Sequence, residues 1–323
     1  MTAPTVPSQS VTVPDFETCG SPEEVAAGLR AHGYLPDEGL ATVIFLALAL
    51  RRPLLLEGEA GVGKTEVAKV LSRWTGGELI RLQCYEGIDA SQALYEWDYT
   101  RQLLHLRTAE AAGTAAGKAD ELENELYSER FLVRRPVLAA ISPGSADSPG
   151  SAGGAVPPVL LVDEIDRADD EFEAFLLEVL SDYSVTIPEL GTFTAAVPPV
   201  VIITSNRTRD VHDALKRRCL YHWVEHPDLE REIEIIDLKT GECGAELTRQ
   251  VALAVEAMRD MGLYKPPGVA ESIDWAESLA RLGVETLDEV SVRSTLGAVL
   301  KYREDQARVQ SAVGDLLAMI AGS

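Results

Sequence analysis

The chain has 323 residues and a formal net charge of −23, with 46% hydrophobic and 25% charged residues. This length accommodates two domains with separate cores, and the composition is typical of a folded globular protein. The negative net charge disfavours binding of nucleic acid or anionic membranes, because a negatively charged surface repels phosphate groups. It does not exclude a local basic channel.

The N-terminal part predicts a disordered segment followed by two helices. Residues 1–20 are rich in Pro, Thr, Ser and Val, a composition that favours disorder. A helix is predicted to begin at Ser21-Pro22-Glu23-Glu24, with proline and acidic side chains in its first turn. Residues Leu40–Arg51 predict a second helix that is apolar on all sides and packed all round.

A glycine-rich segment follows the next apolar run, Leu54–Leu56. Gly58-Glu59-Ala60-Gly61-Val62-Gly63-Lys64-Thr65 fits the pattern G-x-x-x-x-G-K-[ST], and a helix-prone stretch continues from Glu66. The glycines allow the backbone to wrap around a polyphosphate, and N–H groups at the helix N-terminus face the anion. Lys64 is expected to reach the β- and γ-phosphates, and the Thr65 hydroxyl to bind Mg²⁺. Residues Gly58–Glu66 are therefore predicted to bind a nucleoside triphosphate.

Five short apolar segments predict a mostly parallel sheet with helices on both faces, because helical or irregular stretches separate them. They are Leu54–Leu56, Leu79–Cys84, Val159–Val162, Val200–Thr204 and Tyr221–Val224. The ligands of such a sheet bind at the carboxyl ends of its strands.

Three stretches between these strands have other predicted structures. Alternating and aromatic residues in Tyr85–Arg107 predict a hairpin, and Asp120–Phe131 is predicted to be helical. Ser142–Pro158 is rich in Pro, Gly, Ser and Ala, which predicts a mobile loop.

After about Asp228 the remaining predicted elements are helices. They are Glu230–Leu238, Ala245–Met261, Glu271–Leu282, Val290–Tyr302 and Gln306–Ile320. We therefore expect an α/β core over residues 21–228, followed by an all-helical domain over residues 229–323.

Neither a zinc site nor a membrane anchor is indicated. Cys19, Cys84, Cys219 and Cys243 form no C-x-x-C pair and no cysteine–histidine cluster with zinc-ligand spacing. Reduced thiols of this kind are typical of a cytoplasmic protein. The sequence starts without a signal-peptide pattern, and its longest apolar run, Val43–Leu50, is too short to span a bilayer. We expect a cytoplasmic protein without membrane insertion.

The strand Val159–Val162 ends in two acids. In a parallel sheet its carboxyl end lies beside the glycine-rich loop, so Asp163 can bind the Mg²⁺ that Thr65 also binds. Glu164 can then polarise water as a general base. A strand that ends in a solvated acidic turn would look the same, but the preceding loop motif favours the functional interpretation. The second acid indicates hydrolysis in addition to binding.

Asn206 and the pair of arginines further along the chain have two interpretations each. Asn206 follows the strand Val200–Thr204 and either aligns water beside the γ-phosphate or forms a turn. Arg217 and Arg218 either reach a γ-phosphate bound by a neighbouring subunit or cap a helix C-terminus. Arg293 opens a helix of the second domain, where it could bridge that domain to the nucleotide.

Together and in this order, these elements resemble the AAA+ ATPases. Gly58–Thr65 is similar to the Walker A motif, Val159–Glu164 to Walker B, Asn206 to sensor 1, Arg217–Cys219 to the arginine finger and Arg293 to sensor 2. The resemblance covers nearly the whole chain after its first helix begins. It implies a P-loop NTPase αβα core with a five-stranded parallel sheet, a helical lid, and Mg²⁺-dependent ATP hydrolysis. Within the finger we favour Arg218, since an arginine directly before cysteine matches the Ser-Arg-Cys pattern of related clamp-loader ATPases.

Longer strings are similar to the MoxR branch, especially the subgroup linked to carbon monoxide dehydrogenase and molybdenum hydroxylase maturation. They are Cys84–Asp89, Asp163–Ala168, Phe175–Leu180, Val185–Gly191 and Leu300–Asp305. This resemblance implies a hexameric homo-oligomeric ring with ATP between its subunits. It also implies a partner with a von Willebrand factor A domain and a client metalloenzyme, remodelled in a chaperone-like way or supplied with its metal centre.

The same resemblance assigns two segments to client binding. Tyr85–Arg107 would be the insert after the second core strand, and Val185–Ala196 would be a hairpin that precedes sensor 1. Both would face the clients at the ring surface or pore.

Three other functions share parts of the pattern. A P-loop kinase acting on a small molecule would need an acceptor pocket, and the Asp163-Glu164 pair fits water as the acceptor better. A nucleic-acid motor or loader shares the ATPase core, but the charge of −23 and the lack of an appended basic domain weigh against it. An ATP-dependent switch, in which hydrolysis only resets partner binding, also fits.

Overall fold

The computed structural model describes residues 20–111, 119–142, 156–241 and 243–322. The predicted disorder of residues 1–20 falls outside this part of the chain except for Gly20. Most of the predicted mobile loop Ser142–Pro158 also lies outside it.

In chain order, the strands of the described part are β1 (Leu54–Gly58), β2 (Leu79–Gln83), β3 (Tyr95–Trp97), β4 (Leu132–Arg134), β5 (Val159–Asp163), β6 (Ser184–Ile187), β7 (Gly191–Thr194), β8 (Val200–Ser205) and β9 (Leu220–Val224).

The helices that come before β8 are α1 (Pro22–Ala31), α2 (Glu38–Leu50), α3 (Lys64–Thr75), α4 (Ala90–Leu94), α5 (Tyr99–Ala111), α6 (Ala119–Leu126), α7 (Pro136–Ile141) and α8 (Asp170–Asp182). Those that follow it are α9 (Asp213–Arg218), α10 (Leu229–Thr240), α11 (Ala245–Asp260), α12 (Val269–Arg281), α13 (Glu289–Val299), α14 (Arg303–Ser311) and α15 (Val313–Gly322). Short 3₁₀ turns lie at Glu129–Phe131 and Ile165–Arg167.

The five predicted core strands form one parallel sheet in the order β2-β5-β8-β1-β9. Alternate side chains enter two cores: Leu55 packs with α7 and α8 on one face, while Leu54 and Leu56 pack with α1, α2 and α3 on the other. The predicted five-stranded αβα architecture is confirmed. Because the strands are parallel, their carboxyl ends meet at one edge of the sheet.

The first two helices begin near the positions that the sequence predicts. The Ser21 side chain accepts a hydrogen bond from the Glu24 backbone N–H at 3.4 Å and thereby caps α1. The prediction that the second helix is packed all round is wrong, since Leu46 and Leu50 of α2 are 38% and 56% exposed. Its other face covers the sheet, so its outer apolar residues remain at the surface.

The segment Tyr85–Arg107 is not a hairpin, and this prediction is corrected by the structure. It contains α4, the short strand β3 and most of α5. Extended structure is limited to Tyr95–Trp97. The partner strand β4 follows α6 in the chain, and Trp97 is paired with Leu132. Asp98 then accepts a hydrogen bond from the Arg101 N–H at 2.9 Å, which favours a helix start in place of a turn between strands.

One further segment differs in detail from its prediction. The predicted helix Asp120–Phe131 ends as α6 at Leu126, and a 3₁₀ turn follows at Glu129–Phe131. Within Val185–Ala196, β6 and β7 pair as an antiparallel hairpin, as expected for this segment.

The helices from α10 onwards pack around a core of their own, centred on Trp275. The predicted helix Gln306–Ile320 is divided at Ala312, whose N–H bonds the Val309 carbonyl at 3.0 Å in a tight turn. Its apolar face is nevertheless buried, because α14 and α15 turn the same side to this core. None of the helices in the described ranges is long and apolar enough to cross a membrane.

Candidate active site

The glycine-rich loop connects the buried strand β1 to α3. Gly61 and Gly63 have φ values of 84° and 94°, a region that favours glycine, so the pattern's glycines are required by the backbone. Gly63 caps α3 without a side-chain hydrogen bond, which leaves the first N–H groups of the helix directed at the loop. Residues 60–66 line a cavity of about 430 Å³ between the sheet edge and the helical domain.

The remaining side chains of the predicted loop have other contacts. Glu59 lies 3.2 Å from His226 Nε2, while its carbonyl accepts a hydrogen bond from Lys64. Val62 is buried in the core. Glu66 binds Arg73 on its own helix and Lys239 on α10, at 2.9 Å and 3.4 Å.

Lys64 is buried and folded over its own loop. Its Nζ donates to the carbonyls of Gly58 at 2.8 Å and Glu59 at 2.6 Å. Burial lowers the pKa of Lys64 to about 8, although the nearby acids Asp166 and Asp163 favour its charged form. The loop therefore holds a positive charge that has little contact with water.

This lowered pKa of Lys64 predicts that ATP affinity falls as the pH rises above about 8. Below that pH the ammonium group is already charged. Above that pH, Lys64 is mostly neutral in the free protein and must take up a proton when the phosphates bind. Each further pH unit therefore weakens ATP binding by up to about tenfold. Titrations with a fluorescent ATP analogue between about pH 7 and about pH 9.5 measure this decline. Lys64→Arg, which stays charged, should have a nearly constant affinity. A pH-independent affinity of the unmodified protein would contradict the prediction.

Asp163 ends β5 and is only 3% exposed. Its Oδ1 accepts hydrogen bonds from Thr65 Oγ1 at 3.0 Å and Thr204 Oγ1 at 2.6 Å. Its Oδ2 accepts from Arg81, from Nη2 at 2.6 Å and from Nε at 3.0 Å. A hydroxyl and a carboxylate in direct contact are hard oxygen ligands of the kind that Mg²⁺ prefers. The predicted pair Thr65 and Asp163 therefore fits a magnesium ion.

Glu164 directly follows the last residue of β5 and adopts a left-handed backbone conformation with φ of 57°. Asn206 Nδ2 lies 3.4 Å from its Oε1, and Gln83 Nε2 lies 3.1 Å from its Oε2. Arg167 contacts the same Oε2 at 2.8 Å. The carboxylate is 32% exposed, so water can reach it while three side chains orient it.

Asn206 is held in place by Asp166. The Asn206 N–H donates to the Asp166 carboxylate at 3.2 Å. The N–H and the hydroxyl of Thr208 donate to the same carboxylate at 2.9 Å and 2.6 Å. Burial alone would raise the pKa of Asp166, but these hydrogen bonds lower it below its usual value. A charged Asp166 thus anchors the turn that carries Asn206.

Three residues of this site, Arg81, Gln83 and Thr204, are not predicted from the sequence pattern. Arg81 and Gln83 are the polar residues of the otherwise apolar strand β2, and their spacing of two puts both on one face. Gln83 is paired in register with Asp163. Polar residues at alternating positions near a strand's carboxyl end were the signal that could have found them.

The far side of the cavity is formed by the helical domain. Ala270 N–H at the start of α12 donates to the Gly61 carbonyl at 3.2 Å. A Cβ added to Gly268 would lie 2.9 Å from both the Ala60 carbonyl oxygen and the Gly61 Cα. The two domains therefore touch directly at the phosphate-binding loop.

Gly268→Ala is expected to lower both thermal stability and ATP affinity. The methyl group would lie 2.9 Å from the side-chain Oε2 of Glu271, which can move, but also 2.9 Å from backbone atoms of Ala60 and Gly61, which cannot rotate away. Overpacking of this kind costs about 1–3 kcal/mol. This overlap is relieved only if α12 moves away from the phosphate-binding loop. Thermal unfolding and nucleotide titration measure the two effects. Gly314→Ala is the control, because its added methyl group meets nothing within 4 Å. Equal losses in both variants would contradict this explanation.

Arg293 is not brought to the cavity. Its guanidinium pairs with Glu289 one turn earlier on α13, at 2.9 Å. The cationic side chains of the helical domain that line the cavity are Arg231 and Lys239, both on α10. This helix directly follows β9, whose last residue lies beside Gly58 in the sheet. The role of Arg293 as a sensor stays a prediction.

Arg217 and Arg218 lie at the opposite edge of the sheet from the glycine-rich loop. They end α9, which leads into the start of β9, and Leu220 there is paired with Leu54 at the start of β1. The five residues of β1 separate this edge from the loop by about 16 Å. The Arg218 guanidinium contacts Ser181 Oγ, whereas the exposed Arg217 side chain has no hydrogen bond or ion pair within the described part of the chain. Neither arginine can reach the loop of its own chain.

Comparison with known proteins identifies the family. Residues 53–219 match the model of the AAA domain, dynein-related subfamily. The Thermotoga maritima RuvB Holliday junction branch migration motor is similar in structure, at 14% identity and a TM-score of 0.42, over 85% of this chain and 68% of that one. A point mutant of Thermotoga maritima RuvB has 14% identity and a TM-score of 0.45, over 87% and 71%. These values carry no information about activity. A search of curated proteins finds no match.

The family match spans more than half of the 323 residues. It includes the glycine-rich loop, the acidic end of β5 and four strands of the parallel sheet. This chain belongs to the dynein-related subfamily of AAA domains, a family of nucleotide-hydrolysing ATPases.

Proposed function

We propose that this chain is an ATP-hydrolysing ring ATPase of MoxR type that acts on other proteins. The observation that carries the hydrolytic activity is the arrangement around Asp163 and Glu164. Thr65 contacts Asp163 at 3.0 Å, and Glu164 lies beside it within reach of both Asn206 and water. An acid of this kind is useful to hydrolysis and unnecessary for binding alone.

Each residue has a distinct part in this proposal. The loop Gly58–Thr65 and the Lys64 ammonium bind the phosphates. Thr65 and Asp163 would hold Mg²⁺, which when bound neutralises charge on the phosphates. Glu164 accepts the proton of the attacking water, and Asn206 and Gln83 orient the carboxylate that does so.

The position of the arginines supports a homo-oligomeric ring, which we propose to be hexameric. Arg217 and Arg218 are exposed at the edge of the sheet opposite to the loop, so in this proposal they act on an ATP bound by another subunit. The AAA family is generally oligomeric, which supports such an arrangement. In this proposal residues 21–228 are the ATPase core and residues 229–323 are the lid.

The proposed client is a metalloenzyme, and the proposed partner is a protein with a von Willebrand factor A domain. The strings Cys84–Asp89 and Leu300–Asp305 support the MoxR assignment. The insert supports contact with other proteins, because Tyr99, Leu103 and Leu104 of α5 are 67%, 52% and 65% exposed. A cytoplasmic location accords with these assignments.

Phosphate release tests the reaction. Purified protein with ATP and Mg²⁺ should release phosphate without an added acceptor, and Lys64→Ala protein should not. Product that forms only with a small-molecule acceptor would establish a kinase instead. Stimulation by DNA or RNA that declines with rising salt would establish a nucleic-acid motor.

A pull-down tests the partners. Glu164→Gln protein, loaded with ATP, should retain a von Willebrand factor A domain protein and a metalloenzyme subunit, identified by mass spectrometry. Lys64→Ala protein serves as the control that cannot hold ATP. Equal retention by both variants, or retention of neither class, would reject the proposed pathway.

A further inference from the structure

Arg52, immediately before Pro53 and β1, binds the backbone at the end of α9. Its Nε donates to the Arg218 carbonyl at 3.1 Å, and its Nη2 donates to the carbonyls of Arg217 at 3.0 Å and Cys219 at 3.4 Å. One guanidinium thus satisfies three successive carbonyls.

These carbonyls need an external partner. α9 has only six residues, and carbonyls in the last turn of a helix have no N–H partner within it. A cation is also favourable there, because the helix dipole places negative charge at its C-terminus. A helix this short is marginal without tertiary contacts, so Arg52 contributes directly to where α9 ends.

The same corner carries the two exposed arginines that we assign to the neighbouring site. Their side chains project from the residues whose carbonyls Arg52 holds. The Leu220 N–H also donates to the Pro53 carbonyl at 2.8 Å, which fixes the start of β9 on the start of β1. The direction of Arg217 and Arg218 therefore depends on a clamp made by Arg52 and Pro53.

The clamp lies at one end of a strand whose other end is the phosphate-binding loop. All five residues of β1 are buried, and the strand pairs with β8 on one side and β9 on the other. Such a strand has little freedom to bend. A shift of the loop at Gly58 would therefore be transmitted along β1 to Arg52.

We propose that Arg52 is a positioning residue for the arginine that completes the neighbour's site. Through β1 it couples the ATP site of its own subunit to that of the next. This inference rests on the proposed function, in which Arg217 or Arg218 acts in trans. Arg52 itself is not the phosphate ligand, because its Nε and Nη2 are engaged with the backbone.

The test uses Arg52→Met in the chain of 323 residues. This variant should bind ATP with unchanged affinity, because its glycine-rich loop is intact, but its kcat should fall by roughly 100-fold, the cost of a displacement of about 1 Å. Mixing it with Lys64→Ala subunits should restore hydrolysis. Those subunits cannot use their own loop, but they present correctly placed arginines to the intact loop of Arg52→Met. A merely structural defect within the Arg52→Met subunit would not be repaired in this way.

Two further variants distinguish the positioning effect of the Arg52 side chain from the effect of removing a positive charge in this cleft. Arg51→Asn removes a positive charge from the same cleft at a residue with φ of 52°, which asparagine tolerates. Its kcat should stay near that of the unmodified protein, and an equal loss would overturn the positioning role. Arg52→Lys keeps one donor group and should recover part of the kcat even if Arg52→Met folds poorly.

The failures of the two proposals are distinguishable. An unchanged kcat of Arg52→Met overturns the inference. If mixing restores whichever of the Arg217 and Arg218 variants is inactive but does not restore Arg52→Met, the ring site stands and Arg52 has only a structural role. If mixing restores none of them, the shared site itself is wrong, and the inference is rejected with it.

Discussion

Arg218→Ala protein is expected to bind ATP normally but to hydrolyse it roughly 10³–10⁵-fold more slowly than the unmodified protein. The physical reason is the loss of a positive charge that, in the proposed ring, stabilises the transition state on a neighbouring subunit. Because Arg218 lies at the far edge of its own sheet, its removal leaves the local phosphate-binding loop intact. Steady-state phosphate release and titration with a fluorescent ATP analogue measure the two quantities.

The same measurement on Arg217→Ala decides between the two arginines. Arg218 is bonded to Ser181 of its own chain, whereas Arg217 has no such partner in the described ranges, so Arg217 is the rival candidate. Whichever variant is inactive should recover activity when mixed with Lys64→Ala subunits. Arg30→Ala, at the end of α1, is the matched control and should hydrolyse ATP normally. Full activity of both the Arg217 and Arg218 variants would disprove an arginine finger at this position.

Glu164→Gln is expected to lower turnover by roughly 10²–10⁴-fold with ATP affinity retained. Glutamine keeps the size and the hydrogen-bonding oxygen of the side chain but cannot accept the proton of water. The groups expected to hold the phosphates are the glycine-rich loop and Lys64, so nucleotide binding should not depend on the charge of Glu164. Single-turnover phosphate release, with affinity measured on the same sample, tests this directly.

An exposed acid provides the control for that substitution. Glu171→Gln, in the first turn of α8, removes the same charge away from the water-activating position and should keep normal turnover. Hydrolysis by Glu164→Gln at the rate of the unmodified protein would show that another group is the base. Loss of ATP binding in this variant would show that Glu164 contributes to the phosphate site itself.

Contiguous motifs were predictable because their chemistry is local. Wrapping a phosphate requires consecutive backbone N–H groups and glycines at positive φ, so the loop Gly58–Thr65 must be encoded without gaps. Buried parallel strands are short apolar runs, and five of them were recognised for that reason. The insert Tyr85–Arg107 was predicted wrongly, since β3 pairs with a strand more than thirty residues away.

The amino-acid sequence by itself determined the phosphate-binding loop, the acids at the end of β5 and the parallel sheet that brings them together. Only the tertiary structure decided that Gln83 contacts Glu164, that Gly268 of the helical domain touches the loop, and that Arg52 binds the Arg218 backbone at the opposite edge. The reason is physical: a motif within one turn is set by its own backbone geometry. Contacts between distant segments depend on strand register and helix packing, which no single segment specifies.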